Sequence, residues 1–232
     1  MYWISLLWKN IPQLIYPALC MGCGQILFQQ EEMICLSCIY HLPFTDHLKN
    51  SNNELCQQLK GKVAFQYAAA WLTLVPSGRV EQMIYQLKYN NKPAVGLFLG
   101  RQFAKHMLEA AQFQDCDYIV PIPLHRRRKS TRGYNQSECI ARGISEILLI
   151  PVLSNLLVRN THTITQTNLS RMERLENVGG IFSCKPLPDA VGKHFLVLDD
   201  VLTTGATICS AAEKILESFP AAKVSIAAIA RA

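Results

Sequence analysis

The sequence predicts an α/β fold, with a mostly parallel sheet and helices on both faces, preceded by a small metal-binding module. From about residue 65 onward, apolar runs of strand length alternate with segments whose apolar residues recur at helical spacing, which is the order that gives parallel sheets. Before that point stand two C-x-x-C pairs, a pattern typical of zinc ribbons. We therefore predict an N-terminal helix and ribbon over residues 1–44, a linker over 45–62 and the α/β domain over 63–232.

The composition is typical of a globular protein. A chain of 232 residues, of which 50% are hydrophobic and 17% charged, can hold one sizeable core and a small module and should be globular. The net charge of +6 favours phosphate-rich partners without selecting between a small ligand and a nucleic acid. Nine cysteines, an odd number, indicate free thiols and metal ligands in a reducing compartment.

The first 19 residues are rich in Trp, Ile and Leu. No basic leader precedes them, Lys9 interrupts the apolar run and Pro12 would bend a helix, so a secretory signal is not indicated. We expect a helix that packs on the body or on a partner, with membrane contact as the alternative. No segment reaches the roughly 18 apolar residues of a membrane span, so no transmembrane span is predicted.

The four ribbon cysteines are Cys20, Cys23, Cys35 and Cys38, with eleven residues between the pairs. Four thiolates complete a tetrahedral zinc site, and zinc binding contributes on the order of 10 kcal/mol to the folding of small modules. The predicted metal is therefore structural zinc. A chance arrangement of free thiols and a redox pair are the alternatives, and no thioredoxin-like strand precedes either C-x-x-C.

The rest of the chain divides into short elements. The tract Asn-Ser-Asn-Asn predicts that residues 45–62 are a polar linker. Strands are predicted over residues 65–75, 118–122, 152–158, 195–198 and 223–230, and helices over 79–89, 93–111, 136–149, 208–218 and a short stretch from residue 170. Lys88 falls at the end of the first of these helices.

Two basic segments are candidate phosphate contacts. The first follows the strand at 118–122 and contains Arg126, Arg127, Arg128 and Arg132. Clustered arginines can clamp pyrophosphate or contact a nucleic-acid backbone, and a solvated loop is the alternative. Arg171 and Arg174 share one face of the short helix. An inward face would add positive charge to a phosphate site, and an outward face would be solvated.

The stretch from residue 195 to 207 carries the strongest chemical signal. An unbroken apolar run suits a strand buried on both faces, and Asp199 and Asp200 end it at the carboxyl edge, where open α/β sheets bind ligands. Neighbouring carboxylates accept hydrogen bonds from a sugar diol or hold Mg²⁺. The small hydroxyl-rich turn and helix start that follow can cradle a phosphate. A buried strand ending in a solvated acidic turn is the alternative interpretation.

Paired acids followed by T-T-G-x-T resemble the phosphoribosyl pyrophosphate (PRPP) signature of type I phosphoribosyltransferases. The resemblance implies that Asp199 and Asp200 hold the ribose and that the loop from residue 203 to 207 wraps the 5′-phosphate. The whole predicted PRPP-binding stretch is Asp199, Asp200, Val201, Leu202, Thr203, Thr204, Gly205, Ala206 and Thr207.

Over nearly its whole length the chain is similar to the ComF/GntX family. The shared motifs, in order, are the four-Cys ribbon, Leu87-Lys88-Tyr89, the proline-rich turn and arginine run ending in Arg132-Gly-Tyr-Asn, the segment from Thr165 to Asn177, and the acid pair with its loop. The family implies a cytoplasmic protein for natural transformation or DNA utilisation, with a type I phosphoribosyltransferase-like domain behind a zinc ribbon.

Two functions follow from this resemblance. One is a non-enzymatic DNA-uptake factor that binds PRPP with Mg²⁺ and contacts single-stranded DNA through its basic segment, with competence or DNA-processing proteins as possible partners. The other is a working phosphoribosyltransferase, in which Lys88 and the arginines act on pyrophosphate. The sequence identifies no catalytic residue.

Overall fold

The computed structural model describes residues 17–124, 131–160 and 181–232. Their framework is a four-stranded, all-parallel sheet in the order β1-β6-β5-β2. Its strands are β1 (Ala68–Thr73), β2 (Tyr118–Pro121), β5 (His194–Leu202) and β6 (Lys223–Arg231). A separate antiparallel pair is formed by β3 (Leu157–Arg159) and β4 (Phe182–Cys184). The predicted fold class, a parallel sheet with helices and a four-Cys cluster before it, is confirmed.

The central strands are apolar because both of their faces are covered. In β6, every residue from Val224 to Ala230 is buried, as expected for a strand between two layers of helices. β5 runs past the apolar stretch to Leu202 and keeps its register with β6, where Asp199 lies opposite Ala228 and Val201 opposite Ala230. The two acids therefore lie inside the end of the strand, which holds their backbone in the sheet.

Six α-helices surround the sheets within the described residues. They are α1 (Leu36–Tyr40), α2 (Glu54–Leu59), α3 (Arg79–Tyr89), α4 (Pro93–Met107), α5 (Gln136–Leu148) and α6 (Ala206–Ser218). The bounds of α3 match the sequence prediction, and those of α5 differ from it by one residue at the end. The short helix predicted from residue 170 lies outside the described residues, as do residues 1–16 of the predicted N-terminal helix.

Helices α4 and α5 pack unusually close together, and glycine makes this possible. A Cβ atom on Gly143 would lie 2.2 Å from the carbonyl oxygen of Leu97, and one on Gly100 would lie 2.2 Å from that of Ile140. Because neither space admits a methyl group, the two backbones touch directly. This contact fixes α5, whose first residues reach the carboxyl edge of the sheet.

The segment predicted as a polar linker contains structure. Helix α2 lies within residues 45–62. Its start is capped by Asn53, whose side chain accepts a hydrogen bond from Cys56 N–H at 2.9 Å. Leu55 and Leu59 of this helix are fully buried. The Asn53 amide also donates to the carbonyl of Ala68 in β1 at 2.9 Å. The polar residues seen in the sequence cap and cover a short helix, while its few apolar residues anchor it to the core.

The predicted strand over residues 152–158 divides into two parts. Val152 forms an isolated parallel bridge to Ile119 beside β2, whereas β3 leaves the main sheet and pairs with β4. The sequence analysis did not predict β4, because three residues of mixed polarity give no periodic signal. No helix in the described part of the chain is long and apolar enough to cross a membrane.

Candidate ligand-binding cleft and metal centre

A cleft of about 450 Å³ opens at the carboxyl edge of the main sheet. Strands β2 and β5 end there, and the end of α3 and the start of α5 border it. Its walls are formed by Lys88, Tyr89, Ile122, Pro123, Leu124, Arg132, Gln136, Ser137, Arg159, Asp199, Asp200 and Thr207. This is the edge at which open α/β sheets bind ligands.

The two acids on the floor of the cleft have different partners. Asp200 is buried and forms an ion pair with the Lys88 ammonium group at 2.9 Å. Asp199 accepts hydrogen bonds on Oδ1 from the Ser137 hydroxyl at 3.0 Å and from the backbone N–H of Asp200 at 2.9 Å. Helix α3 therefore holds one carboxylate in place, and helix α5 the other.

The pKa of Asp199 is raised from 3.8 to about 7, first by burial and then by the neighbouring charge of Asp200. The hydrogen bonds from Asp200 N–H and Ser137, and the charge of Lys88, act in the opposite direction and do not cancel the rise. A hydroxyl donor or a cation at this carboxylate would favour its ionised form. The acid pair is therefore suited to a diol or a divalent cation.

The loop between β5 and α6 is held by two side chains from the segment before β1. Gly205 has a φ of +76°, a left-handed conformation that favours glycine. The carbonyl of Thr203 accepts from the Gln58 amide at 2.7 Å, and that of Thr204 accepts from the Lys62 ammonium at 3.2 Å. In a trans peptide the following N–H points the opposite way, so the N–H groups of Thr204 and Gly205 face away from these two side chains, at the start of α6. That arrangement suits an anion.

Among the described residues, three cationic side chains line the cleft beside the two acids. They are Lys88, Arg132 and Arg159. Arg132 donates to the Gln136 side chain at 3.3 Å and lies 5.1 Å over the Tyr89 ring, and Arg159 lies 5.7 Å over the Phe182 ring. The lining thus favours a ligand with both anionic groups and hydroxyl donors.

The structure brings together part of the predicted site. Asp199, Asp200, Thr207, Lys88 and Arg132 all line the cleft. Val201 lines a neighbouring cavity, Leu202 is buried, and Thr203 and Thr204 are exposed in the loop. The predicted phosphate contacts Arg126, Arg127, Arg128, Arg171 and Arg174 lie outside the described residues.

Several residues of the cleft escaped the sequence analysis. Arg159 and Ser137 line it, while Gln58 and Lys62 hold its loop from the segment predicted as a linker. Arg159 follows directly on the apolar strand predicted over residues 152–158, and a basic residue at the end of a predicted strand is a usable signal. The bond from Gln58 to Thr203 spans 145 positions of the chain, and no local pattern reveals such a contact.

The four ribbon cysteines converge. Their sulfur atoms all lie within 4.8 Å of one another, and the Cys23 and Cys35 sulfurs are 3.8 Å apart. In a tetrahedral zinc site with bonds of about 2.3 Å, the sulfurs are about 3.8 Å apart, so these thiols fit zinc. His47, close by in the sequence, is not among the ligands: its Nδ1 accepts from Ala70 N–H at 3.1 Å in the core.

Backbone N–H groups lie close to the Cys20 sulfur and favour its thiolate form, which is the form that binds a cation. The N–H groups of Cys35 and Gly22 lie 3.3 and 3.4 Å from the Cys20 sulfur. Burial raises the pKa of Cys20, but backbone hydrogen bonds from Cys35, Gly22 and Cys23 outweigh it and bring the pKa to about 7. Burial raises the pKa values of Cys35 and Cys38. Since thiolates bind zinc, metal binding at this cluster requires the release of protons.

Comparison with known proteins agrees with the fold. Residues 100–232 match the family described as Phosphoribosyl transferase domain. The chain is 27% identical over 229 residues to Competence protein F of Haemophilus influenzae, covering 92% of this chain and 96% of the relative. It is 34% identical to the DNA utilization protein YhgH of Escherichia coli over 60% of this chain and 62% of that protein. It is also 37% identical to Competence protein ComFC of Bacillus subtilis, over 46% of this chain and 41% of the relative.

Proposed function

This chain belongs to the phosphoribosyl transferase family and, within it, to the ComF group, and from this membership we propose that its cleft binds PRPP or a related phosphoribosyl ligand together with Mg²⁺. The ligand serves a cytoplasmic role in DNA uptake or DNA utilisation. The observation that carries the proposal is the acid pair of Asp199 and Asp200, which lies beside the Thr203–Gly205 turn and three cationic side chains.

Each part of a phosphoribosyl ligand has a matching group in the cleft. The ribose diol donates to the carboxylates of Asp199 and Asp200, which would relieve their mutual repulsion. The 5′-phosphate accepts from the backbone N–H groups at the start of α6. The pyrophosphate lies toward Lys88, Arg132 and Arg159, whose charges complement it. When bound, Mg²⁺ supplies further positive charge to the pyrophosphate, and the two carboxylates are the oxygen ligands that this cation prefers.

The role in DNA handling rests on relatives and on charge. Proteins named for competence and for DNA utilization are among the relatives of this chain, and its net charge is +6. We propose that the basic segment ending at Arg132 contacts single-stranded DNA, because clustered arginines bind the phosphate backbone and Arg132 borders the cleft. Structural zinc in the ribbon completes the proposal.

Calorimetric titration of the purified protein with PRPP and Mg²⁺ tests the central assignment. We expect binding by the unaltered protein and its loss in the double variant Asp199→Ala, Asp200→Ala. The matched control is Asp117→Ala. Asp117 pairs with Lys193 at 2.8 Å at the opposite edge of the sheet, so the control also breaks a Lys–Asp pair but leaves the cleft intact. Unchanged PRPP affinity in the double variant would refute the assignment.

The titration is then repeated with single-stranded DNA present. A change in PRPP affinity would indicate that the two ligands are coupled, which is what we expect if the basic segment joins both sites. DNA binding that is absent, or that does not weaken as salt is raised, would contradict the DNA contact, because phosphate contacts release counterions.

A second candidate function is catalysis of phosphoribosyl transfer. It is favoured by the position of Lys88, whose ammonium group lies 2.9 Å from Asp200 in the cleft, where it can stabilise departing pyrophosphate. The test is release of pyrophosphate from PRPP in the presence of a panel of bases and amines. No release with any acceptor would leave the binding function and remove the catalytic one.

A further inference from the structure

The ribbon exposes a group of apolar side chains that its metal cluster does not use. Phe28 is 79% exposed, Leu36 72% and Tyr40 84%. Leu19 and Ile26 are exposed as well, and they pair with each other in an antiparallel bridge. We call these five residues the ribbon patch. Single exposed apolar residues are ordinary on a protein surface, but a contiguous group of them marks an interaction site.

The local backbone makes the ribbon patch one surface. The Glu31 carboxylate accepts from Phe28 N–H at 2.8 Å with one oxygen and from Leu36 N–H at 2.7 Å with the other. One side chain therefore ties Phe28 to the start of α1. Leu36 and Tyr40 lie four residues apart in this helix and share a face, and Ile26 is only two positions before Phe28.

The chain itself leads into this surface. The described residues begin at Pro17, two positions before Leu19 of the ribbon patch, so residues 1–16 are attached at its edge. Several of them are apolar and recur at the spacing of one helical face, namely Ile4, Leu7, Trp8 and Ile11. As a helix, residues 3–11 would be about 13 Å long, which is enough to cover the single short helix α1.

Charge and tethering favour this segment over other apolar occupants. Glu31 and Glu32 carry the only formal charges among residues 17–44, and four thiolates outnumber the two charges of a zinc ion, so the ribbon is anionic. It would repel an anionic lipid surface and a second copy of itself. Lys9 carries the only formal charge among residues 1–16, and it is a cation. A short tether also gives an attached segment an effective concentration on the order of millimolar.

We propose that residues 1–16 of this chain dock on the ribbon patch, with Trp8 packed against Phe28 and Leu36. A module as small as this ribbon cannot bury enough apolar surface to be stable by itself. Zinc supplies part of what is missing, and the docked segment supplies the apolar contact. The ribbon patch and the first 16 residues together complete one small core.

The test is acrylamide quenching of tryptophan fluorescence in the full, zinc-loaded chain carrying Trp3→Phe. Trp71 is only 4% exposed, so the quencher reports on Trp8. We expect weak quenching before further substitution. Leu36→Ser and Phe28→Ser, alone and together, should each weaken docking roughly ten- to hundredfold, the range that burial of one such side chain gives, and should raise the quenching slope toward that of free tryptophan.

The matched control is Leu149→Ser, the same substitution at a leucine that is 84% exposed outside the ribbon. It should leave the quenching slope unchanged. Metal analysis of each variant checks that the ribbon keeps its zinc, so that a higher slope reports the loss of docking and not the loss of the ribbon fold.

Four results would overturn the proposal. Two are quenching of the starting protein that already equals that of free tryptophan, and a slope that the paired ribbon substitutions do not change. A slope that rises when the protein is diluted would assign the ribbon patch to a second copy of the chain. Protection of Trp8 that appears only with vesicles of phosphatidylglycerol and phosphatidylcholine would assign the segment to a lipid surface.

Discussion

Gly205 offers a sharp test of how the loop after β5 is held. Two features disfavour a larger residue there: its φ of +76°, and Leu59 of α2, whose Cδ2 would lie 2.5 Å from an added Cβ. Leu59 is fully buried, so it has little room to move. Both features should make Gly205→Ala destabilising, and a control variant can separate the backbone cost from the cost of the clash.

The control is Gly192→Ala. Gly192 has a φ of +71° and nothing within 4 Å of an added Cβ, so only the backbone cost applies. A left-handed alanine costs about 1–2 kcal/mol, and forcing an extra carbon into a packed core costs about 1–3 kcal/mol. We therefore expect Gly192→Ala to lower the free energy of unfolding by about 1–2 kcal/mol, and Gly205→Ala by roughly 2–5 kcal/mol.

The assay is urea unfolding of the zinc-loaded protein, followed by circular dichroism. A double-mutant cycle with Leu59→Ala isolates the contact, because removing the Leu59 side chain removes the clash. In that background Gly205→Ala should cost no more than Gly192→Ala does in the unaltered protein. If Gly205→Ala costs the same with and without Leu59, α2 does not support the loop and the reasoning is wrong.

Two further predictions concern the metal and the acid pair. Replacing Cys20 and Cys38 with Ser should release the zinc, as measured by metal analysis, and should destabilise the ribbon. The control is Cys184→Ser, since Cys184 lies outside the cluster. A full complement of zinc in the double variant would contradict the metal site. Because the pKa of Asp199 is raised to about 7, the unaltered protein should lose stability as pH rises from about 4 to 7. Each unit of pKa shift corresponds to about 1.4 kcal/mol, and we halve this value because Asp199 is partly exposed. Asp199→Asn should therefore raise the free energy of unfolding by about 2 kcal/mol at pH 8 and by almost nothing at pH 4. An equal effect at both pH values would count against the raised pKa.

The sequence by itself determined the features that depend on local pattern. The apolar run before Asp199 and the glycine in the loop after it predicted a buried strand that leads into a tight turn and a helix, because burial on both faces and a left-handed backbone each require particular residue types within a few adjacent positions. The spacing of Cys20, Cys23, Cys35 and Cys38 predicted the metal cluster for the same reason. The helical periodicity of α3 placed Lys88 at its end.

Only the tertiary structure decided which distant groups meet. Gln58 and Lys62, in a segment that reads as a linker, bind the carbonyls of Thr203 and Thr204, and Ser137 of α5 binds Asp199 because Gly100 and Gly143 let two helices touch. Arg159 reaches the cleft through a pairing of β3 with the unpredicted β4. Contacts such as these depend on packing between elements far apart in the chain. Each partner is an ordinary polar residue in its own segment, so its role becomes visible only when the sheet brings the segments together.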